Sequence, residues 1–181
     1  MIKIAITGPI ASGKSLVEEF LRQEGAVTLD TDRVAHKILE NNPKVLALFA
    51  TTDRKQLGEI VFSDTQKLKK LESIIHPEVK RIVQEFFEEN KDKKLVAVSV
   101  PLLYEANMET MFDYVIMVTA NEDIRLQRLM ETRNLSKEEA LKRIRARDVQ
   151  PQGDFIIENN DTIDNLQKKV KNILMQIREK H

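Results

Sequence analysis

Residues 8 to 15, GPIASGKS, set two glycines, a lysine and a serine at the spacing of the phosphate-cradling pattern G-x-x-x-x-G-K-[ST]. Gly8 and Gly13 let the backbone turn so that successive N–H groups converge on an anion, and the helix that follows points its positive end at the same place. Lys14 is placed to reach β- and γ-phosphates, and Ser15 offers its hydroxyl to the Mg²⁺ that bridges them. Ala11 and Ser12 inside the loop, and Leu16 just after it, line the same phosphates. The pattern predicts a bound Mg²⁺-nucleoside triphosphate and leaves its use open.

Two carboxylates come next. The run LDTD puts Asp30 at the end of a predicted strand and Asp32 two residues on, at the sheet edge where ligands bind in open α/β folds. A carboxylate there can accept a hydroxyl proton. Asp32 suits equally well the N-cap of the helix RVAHKILE, and spacing alone leaves both readings open. Farther along, Arg133, Lys142, Arg143, Arg145 and Arg147 form a cationic stretch. Such cations can cover a transferring phosphoryl group, or they form a solvated helix face balanced by Glu138 and Glu139.

The elements that must position these residues are legible from periodicity. Residues 2 to 7, IKIAIT, are apolar on both faces, as a covered parallel sheet requires. From Gly13 the period becomes helical, with Val17, Phe20 and Leu21 on one face and Gly25 as the stop. Residues 26 to 30 form a second strand, so strand, loop, helix and strand make a βαβ unit. Residues 31 to 90 show helical patterns and no convincing strand, punctuated by Pro43 and Pro77; Pro77 is expected at the first position of a helix. Strands return at 95 to 100, 114 to 120 and 153 to 159. Between the last two, a helix capped by Asn121 precedes another opened by the capping box Ser136 and Glu139. A closing helix begins near Thr162.

Composition bounds the rest. In 181 residues, 29 basic side chains balance 29 acidic ones and cysteine is absent. No global field favours nucleic acid or an anionic membrane, there is no thiolate metal site, and the N-terminal apolar run is too short for a signal peptide or a membrane span. One cytoplasmic domain, a monomer or a weak homo-oligomer, is the expectation.

In order along the chain, GPIASGKS, LDTDRVAHKI, DRKQLGEIVFSD (53 to 64), LESIIHP (71 to 77), VPLLYE (100 to 105) and FDYVIMV (112 to 118) resemble the signature blocks of dephospho-CoA kinases. The resemblance covers about the first 130 residues, and it is the combination that is specific. It implies an α/β fold of the P-loop NTPase type: a parallel sheet of about five strands flanked by helices, with a helical acceptor-binding insertion and a helical lid. It implies one domain, with a core at about 1–30, 95–120 and 151–181, an acceptor lobe at about 31–90 and a lid at about 121–150. The implied activity is ATP-dependent phosphorylation of the ribose 3′-hydroxyl of dephospho-CoA with Mg²⁺.

By the same resemblance Asp32 is the general base, Lys14 and Arg128 act in catalysis, and Arg133, Arg143 and Arg147 meet ATP. Asp30, His76, Pro101 and Glu105 meet the acceptor. The chain departs from the family pattern at Pro9 and Ala11, where glycines are usual, at Leu16, where a second hydroxyl is usual, and at Arg147, where the pattern has Gln. The block after the lid is shortened to DVQPQGDFIIENND. Rival readings are another small-molecule or nucleotide kinase and a silent nucleotide-binding protein. A GTP switch would need an N-K-x-D tetrapeptide, which the sequence lacks.

Overall fold

The structure, a computed structural model, describes residues 1–62, 64–147 and 150–181; Ser63, in the VFSD block, and Asp148 and Val149, which open the shortened block, lie outside the described residues. It divides into two compact units, Met1–Thr28 with Asp92–His181, and Leu29–Lys91.

The first unit is built on a sheet. Strands β1 (Ile2–Thr7), β3 (Leu95–Ser99) and β4 (Tyr114–Thr119) carry runs of Ile, Val and Ala that are buried on both faces, while the edge strand β5 (Phe155–Glu158) buries Ile157 and exposes Ile156 and Glu158. Runs of this kind need cover above and below, which is why the sheet is parallel and flanked by helices. β1 pairs in parallel with β3, Ile4 opposite Ala97, and with β4, Ile6 opposite Ile116; β4 pairs in parallel with β5. With β2 (Val27–Asp30) at one edge, the order is β2-β3-β1-β4-β5.

Helices α1 (Lys14–Gln23) and α8 (Ile163–Glu179) supply cover. Val17, Phe20 and Leu21 of α1 and Leu166, Val170, Leu174 and Ile177 of α8 close on Ile4, Ile6, Ile116 and Val118 in one apolar cluster. Two short helices at the carboxyl ends of the strands, α6 (Glu122–Arg133) and α7 (Lys137–Arg145), pack on each other through Leu129, Ala140 and Ile144, and against this cluster lie Ile10 and Ala11 of the phosphate loop. The capping box of α7 is formed as expected: Ser136 Oγ accepts from the Glu139 N–H, and the Glu139 carboxylate accepts from the Ser136 N–H at 2.9 Å. Asn121 occupies the N-cap of α6 but makes no side-chain cap bond; instead its N–H donates to Asn160 Oδ1 at 2.8 Å.

The second unit is helical. Helices α2 (Thr31–Leu39), α3 (Pro43–Phe49) and α4 (Arg54–Phe62) pack against the long α5 (Thr65–Glu89). Pro43 opens α3 at its first turn, where a missing N–H costs nothing. Pro77 does not open a helix: it lies inside α5, which is continuous across it. The flanking turns are anchored by the buried Ile75 and Val79, and this packing outweighs the one ladder hydrogen bond that proline removes. No helix of the described residues is long and apolar enough to cross a membrane.

Candidate phosphate-binding site

The loop between β1 and α1 is shaped by close approach. Gly8 has φ +141°, and a Cβ there would lie 2.0 Å from the carbonyl oxygen of Val118 in β4, so only glycine lets the chain cross at this depth. Gly13, φ +104°, is the N-cap of α1 and brings no side-chain cap to it. The first turn of α1 contains no acidic residue. Its positive end therefore faces outward without an internal counter-charge, which is the condition for anion binding at a helix start. Ala11 also lies in the left-handed region, φ +61°, a conformation that costs an L-residue about 1–2 kcal/mol. The glycine usual at this position in the family pattern would adopt it freely.

Lys14 Nζ donates to the carbonyls of Gly8 at 2.8 Å and Pro9 at 2.9 Å, which folds the ammonium over the loop it serves. Ser15 and Leu16 follow on the exposed start of α1.

The opposite side of the loop is held from α6 and from the end of β5. Arg128 Nη1 donates to the carbonyls of Ala11 and Ser12, each at 3.2 Å, and Nη2 donates to the Asn159 carbonyl at 2.9 Å. Partial burial pulls this guanidinium below its ordinary pKa, since desolvation disfavours the charged form; arginine nonetheless keeps its proton. Asn159 Nδ2 donates to the Ser12 carbonyl at 2.8 Å.

Sequence reasoning missed Asn159. The signal was the period of β5: Phe155, Ile157 and Asn159 face inward while Ile156 and Glu158 are exposed, so an asparagine falls on a core-facing position beside the loop.

The predicted cations divide. Arg147 pairs with Glu105, Nε at 2.8 Å from its Oε1, and Nη2 donates to the Pro101 carbonyl at 3.0 Å. Thus a side chain expected at ATP and two residues expected at the acceptor lie together. Arg145 pairs with Glu122 at 3.0 Å. Arg133 and Arg143 are exposed, and among the described residues no hydrogen bond joins either to the loop.

In the helical unit, the cap of α2 is Asp30, not Asp32: Asp30 Oδ1 accepts the Asp32 N–H at 2.9 Å. Asp32 is exposed in the first turn. His76 is half-buried in the middle of α5, away from both ends of that helix.

A five-stranded parallel sheet in this order, with a glycine loop between its central strand and a helix start, defines a kinase of the P-loop class. A shikimate kinase from Bacteroides thetaiotaomicron shares the fold at TM-score 0.58 and 17% identity. The chain belongs to the dephospho-CoA kinase family, whose family model matches residues 2–165. It is 36% identical to the dephospho-CoA kinase of Listeria innocua over 92% of each chain, and 36% identical to that of Shouchella clausii over 96% of this chain and 97% of the other. Among solved structures, a protein from Thermus thermophilus superposes with TM-score 0.84 at 34% identity over 97% of both chains. The dephospho-CoA kinase of Campylobacter jejuni superposes at TM-score 0.67 and 27% identity, covering 97% of this chain and 96% of the other.

Proposed function

We propose that this protein transfers the γ-phosphoryl group of ATP to the ribose 3′-hydroxyl of dephospho-CoA, giving CoA and ADP, the closing step of coenzyme A formation. The observation that carries the reading is the family match across residues 2–165 on a chain whose loop keeps Gly8, Gly13, Lys14 and Ser15 in a geometry fit for phosphates.

The donor set suits Mg²⁺-ATP. The uncapped start of α1 and the loop N–H groups take the β- and γ-phosphates, and Lys14 exchanges the carbonyls of Gly8 and Pro9 for phosphate oxygens. Ser15 would hold the metal through its hydroxyl, and the metal would supply charge neutralisation at the phosphates. Among the described residues no cluster of three or more His, Cys, Asp or Glu is placed to hold a metal, and a Mg²⁺ that arrives with the nucleotide needs none.

Asp32 accepts the proton of the attacking hydroxyl, and Asp30, by capping α2, orients the turn that carries it. Arg128 fixes the loop against α6. Arg133, Arg143 and Arg147 are the cations available to cover the transferring group, Arg147 by leaving Glu105. Pro101, Glu105 and His76 contribute to acceptor binding. The transfer is in-line and direct, without a covalent enzyme intermediate. The protein works in the cytoplasm as a monomer or weak homo-oligomer, on a nucleotide-derived small molecule and not on nucleic acid or a membrane.

The test is an acceptor comparison with Mg²⁺-ATP. Dephospho-CoA should be converted to CoA with stoichiometric ADP, while adenosine and AMP are poor acceptors; equal turnover of all three refutes the acceptor assignment in favour of a broader small-molecule kinase.

A further inference from the structure

Asn159 has no place in the phosphate-loop motif, yet its side chain sits directly behind that loop. It is 4% exposed. Its main chain is locked on both sides: the N–H donates to the Thr119 carbonyl of β4 at 2.8 Å, and its carbonyl accepts from Arg128 Nη2 at 2.9 Å. Only the side-chain amide reaches out, and it reaches the Ser12 carbonyl at 2.8 Å.

The peptide between Ser12 and Gly13 is planar and trans, so its N–H points opposite to its C=O. A donor that pulls the Ser12 carbonyl toward Asn159 therefore aims the Gly13 N–H away from Asn159, toward the side on which α1 begins. The contact is tight enough to dictate the neighbouring residue. A Cβ at position 13 would lie 2.2 Å from Asn159 Nδ2. Arg128 already donates to the same carbonyl at 3.2 Å, so the carbonyl is not orphaned without Asn159. What the amide adds is a shorter, directional hold on the plane of that peptide.

We propose that Asn159 is a positioning residue for polyphosphate: it sets the orientation of the Ser12–Gly13 peptide, and through that peptide the affinity for the β- and γ-phosphates, without touching them. The inference rests on the reading of GPIASGKS as the triphosphate site. It requires an amide and not a carboxylate. An aspartate of the same size would set an oxygen against the Ser12 oxygen and push the peptide plane round, so Asn159→Asp should be worse than Asn159→Ala, which only removes the donor.

The experiment is calorimetric binding of Mg²⁺-ADP, Mg²⁺-tripolyphosphate and adenosine to the whole protein and to both variants, with thermal unfolding measured alongside. Loss of one buried hydrogen bond predicts tripolyphosphate and ADP binding weaker by about tenfold in Asn159→Ala, weaker still in Asn159→Asp, and adenosine binding unchanged. In turnover, KM for ATP rises while KM for dephospho-CoA stays. If the variants melt earlier but their folded fraction, counted by binding stoichiometry, holds tripolyphosphate as the parent does, the residue is merely structural and the proposal is overturned. Equal loss of adenosine binding also overturns it, by moving Asn159 to the base. A parent protein that binds tripolyphosphate with the stated Asn159 dependence, yet turns over no dephospho-CoA, supports the inference and refutes the acceptor assignment alone.

Discussion

Replacing Arg128 separates charge from geometry. Its guanidinium makes three hydrogen bonds to main-chain carbonyls, two at 3.2 Å on the phosphate loop and one at 2.9 Å on Asn159. At about 1.5 kcal/mol for each bond with a charged partner, three come to about 4.5 kcal/mol. Two of them are long, the side chain keeps part of its exposure, and the guanidinium gives up hydration to enter the site, so about 2–3 kcal/mol remains as the expected loss for Arg128→Ala. Lysine keeps the charge but has a compact ammonium that cannot span three divergent carbonyls. Arg128→Lys should therefore recover no more than about half of the loss, about 1 kcal/mol. Urea unfolding of the parent and both variants measures this directly, with ATP affinity as the second readout, since the same bonds hold the carbonyls of Ala11 and Ser12. If Arg128→Lys unfolds at the same urea concentration as the parent and binds ATP equally well, the fork geometry is irrelevant and only the positive charge matters.

The remaining perturbations probe the loop, the proposed base and the capping box of α7. Gly8→Ala must displace either the loop or Val118, because its Cβ would sit 2.0 Å from a backbone oxygen; nucleotide binding should weaken by at least about tenfold in calorimetry, with a loss of stability of about 2 kcal/mol or more. Asp32→Asn should cut kcat by about 10²-fold or more with ATP binding nearly unchanged, and full activity would return Asp32 to a purely structural place in the first turn of α2. The Glu139 carboxyl is held below its ordinary pKa, chiefly by hydrogen bonds from Ser136. A depressed folded-state value means that its contribution to α7 is complete above the usual glutamate range and is lost as pH falls through the folded-state value. Protection factors of the α7 amides, corrected for the intrinsic pH dependence of exchange, should accordingly fall on acidification below the ordinary glutamate pKa, and Ser136→Ala should weaken that dependence, leaving the part held by the main-chain N–H of residue 136.

The agreement between sequence and structure has a consistent physical basis. Where a signal is local, it was legible. The apolar strands β1, β3 and β4, the glycine at the end of α1, the capping box of α7 and the start of α8 near Thr162 each depend on residues within one turn or one pleat of each other. Where an outcome depends on what packs against an element, local reasoning failed. Pro77 reads as a helix start, yet the burial of Ile75, Val79 and Val83 holds α5 together through it. Asn121 has the right chemistry for a side-chain cap, but Asn160 comes across from the end of β5 and takes its N–H. Asp30 and Asp32 are both capable caps, and the extended φ of −108° at Asp30 decides between them.

The sequence by itself determined the order of elements, the glycine loop between β1 and α1 and the family, because these rest on residue types at short fixed spacings. Only the tertiary structure decided how the loop is held. Ser12 and Asn159 are separated by 147 positions, Ala11 and Arg128 by 117, and Arg147 and Glu105 by 42. Such partners are chosen by the parallel register of β1, β3, β4 and β5, which brings the carboxyl ends of distant strands to one edge, and a hydrogen bond across that edge leaves no periodicity along the chain.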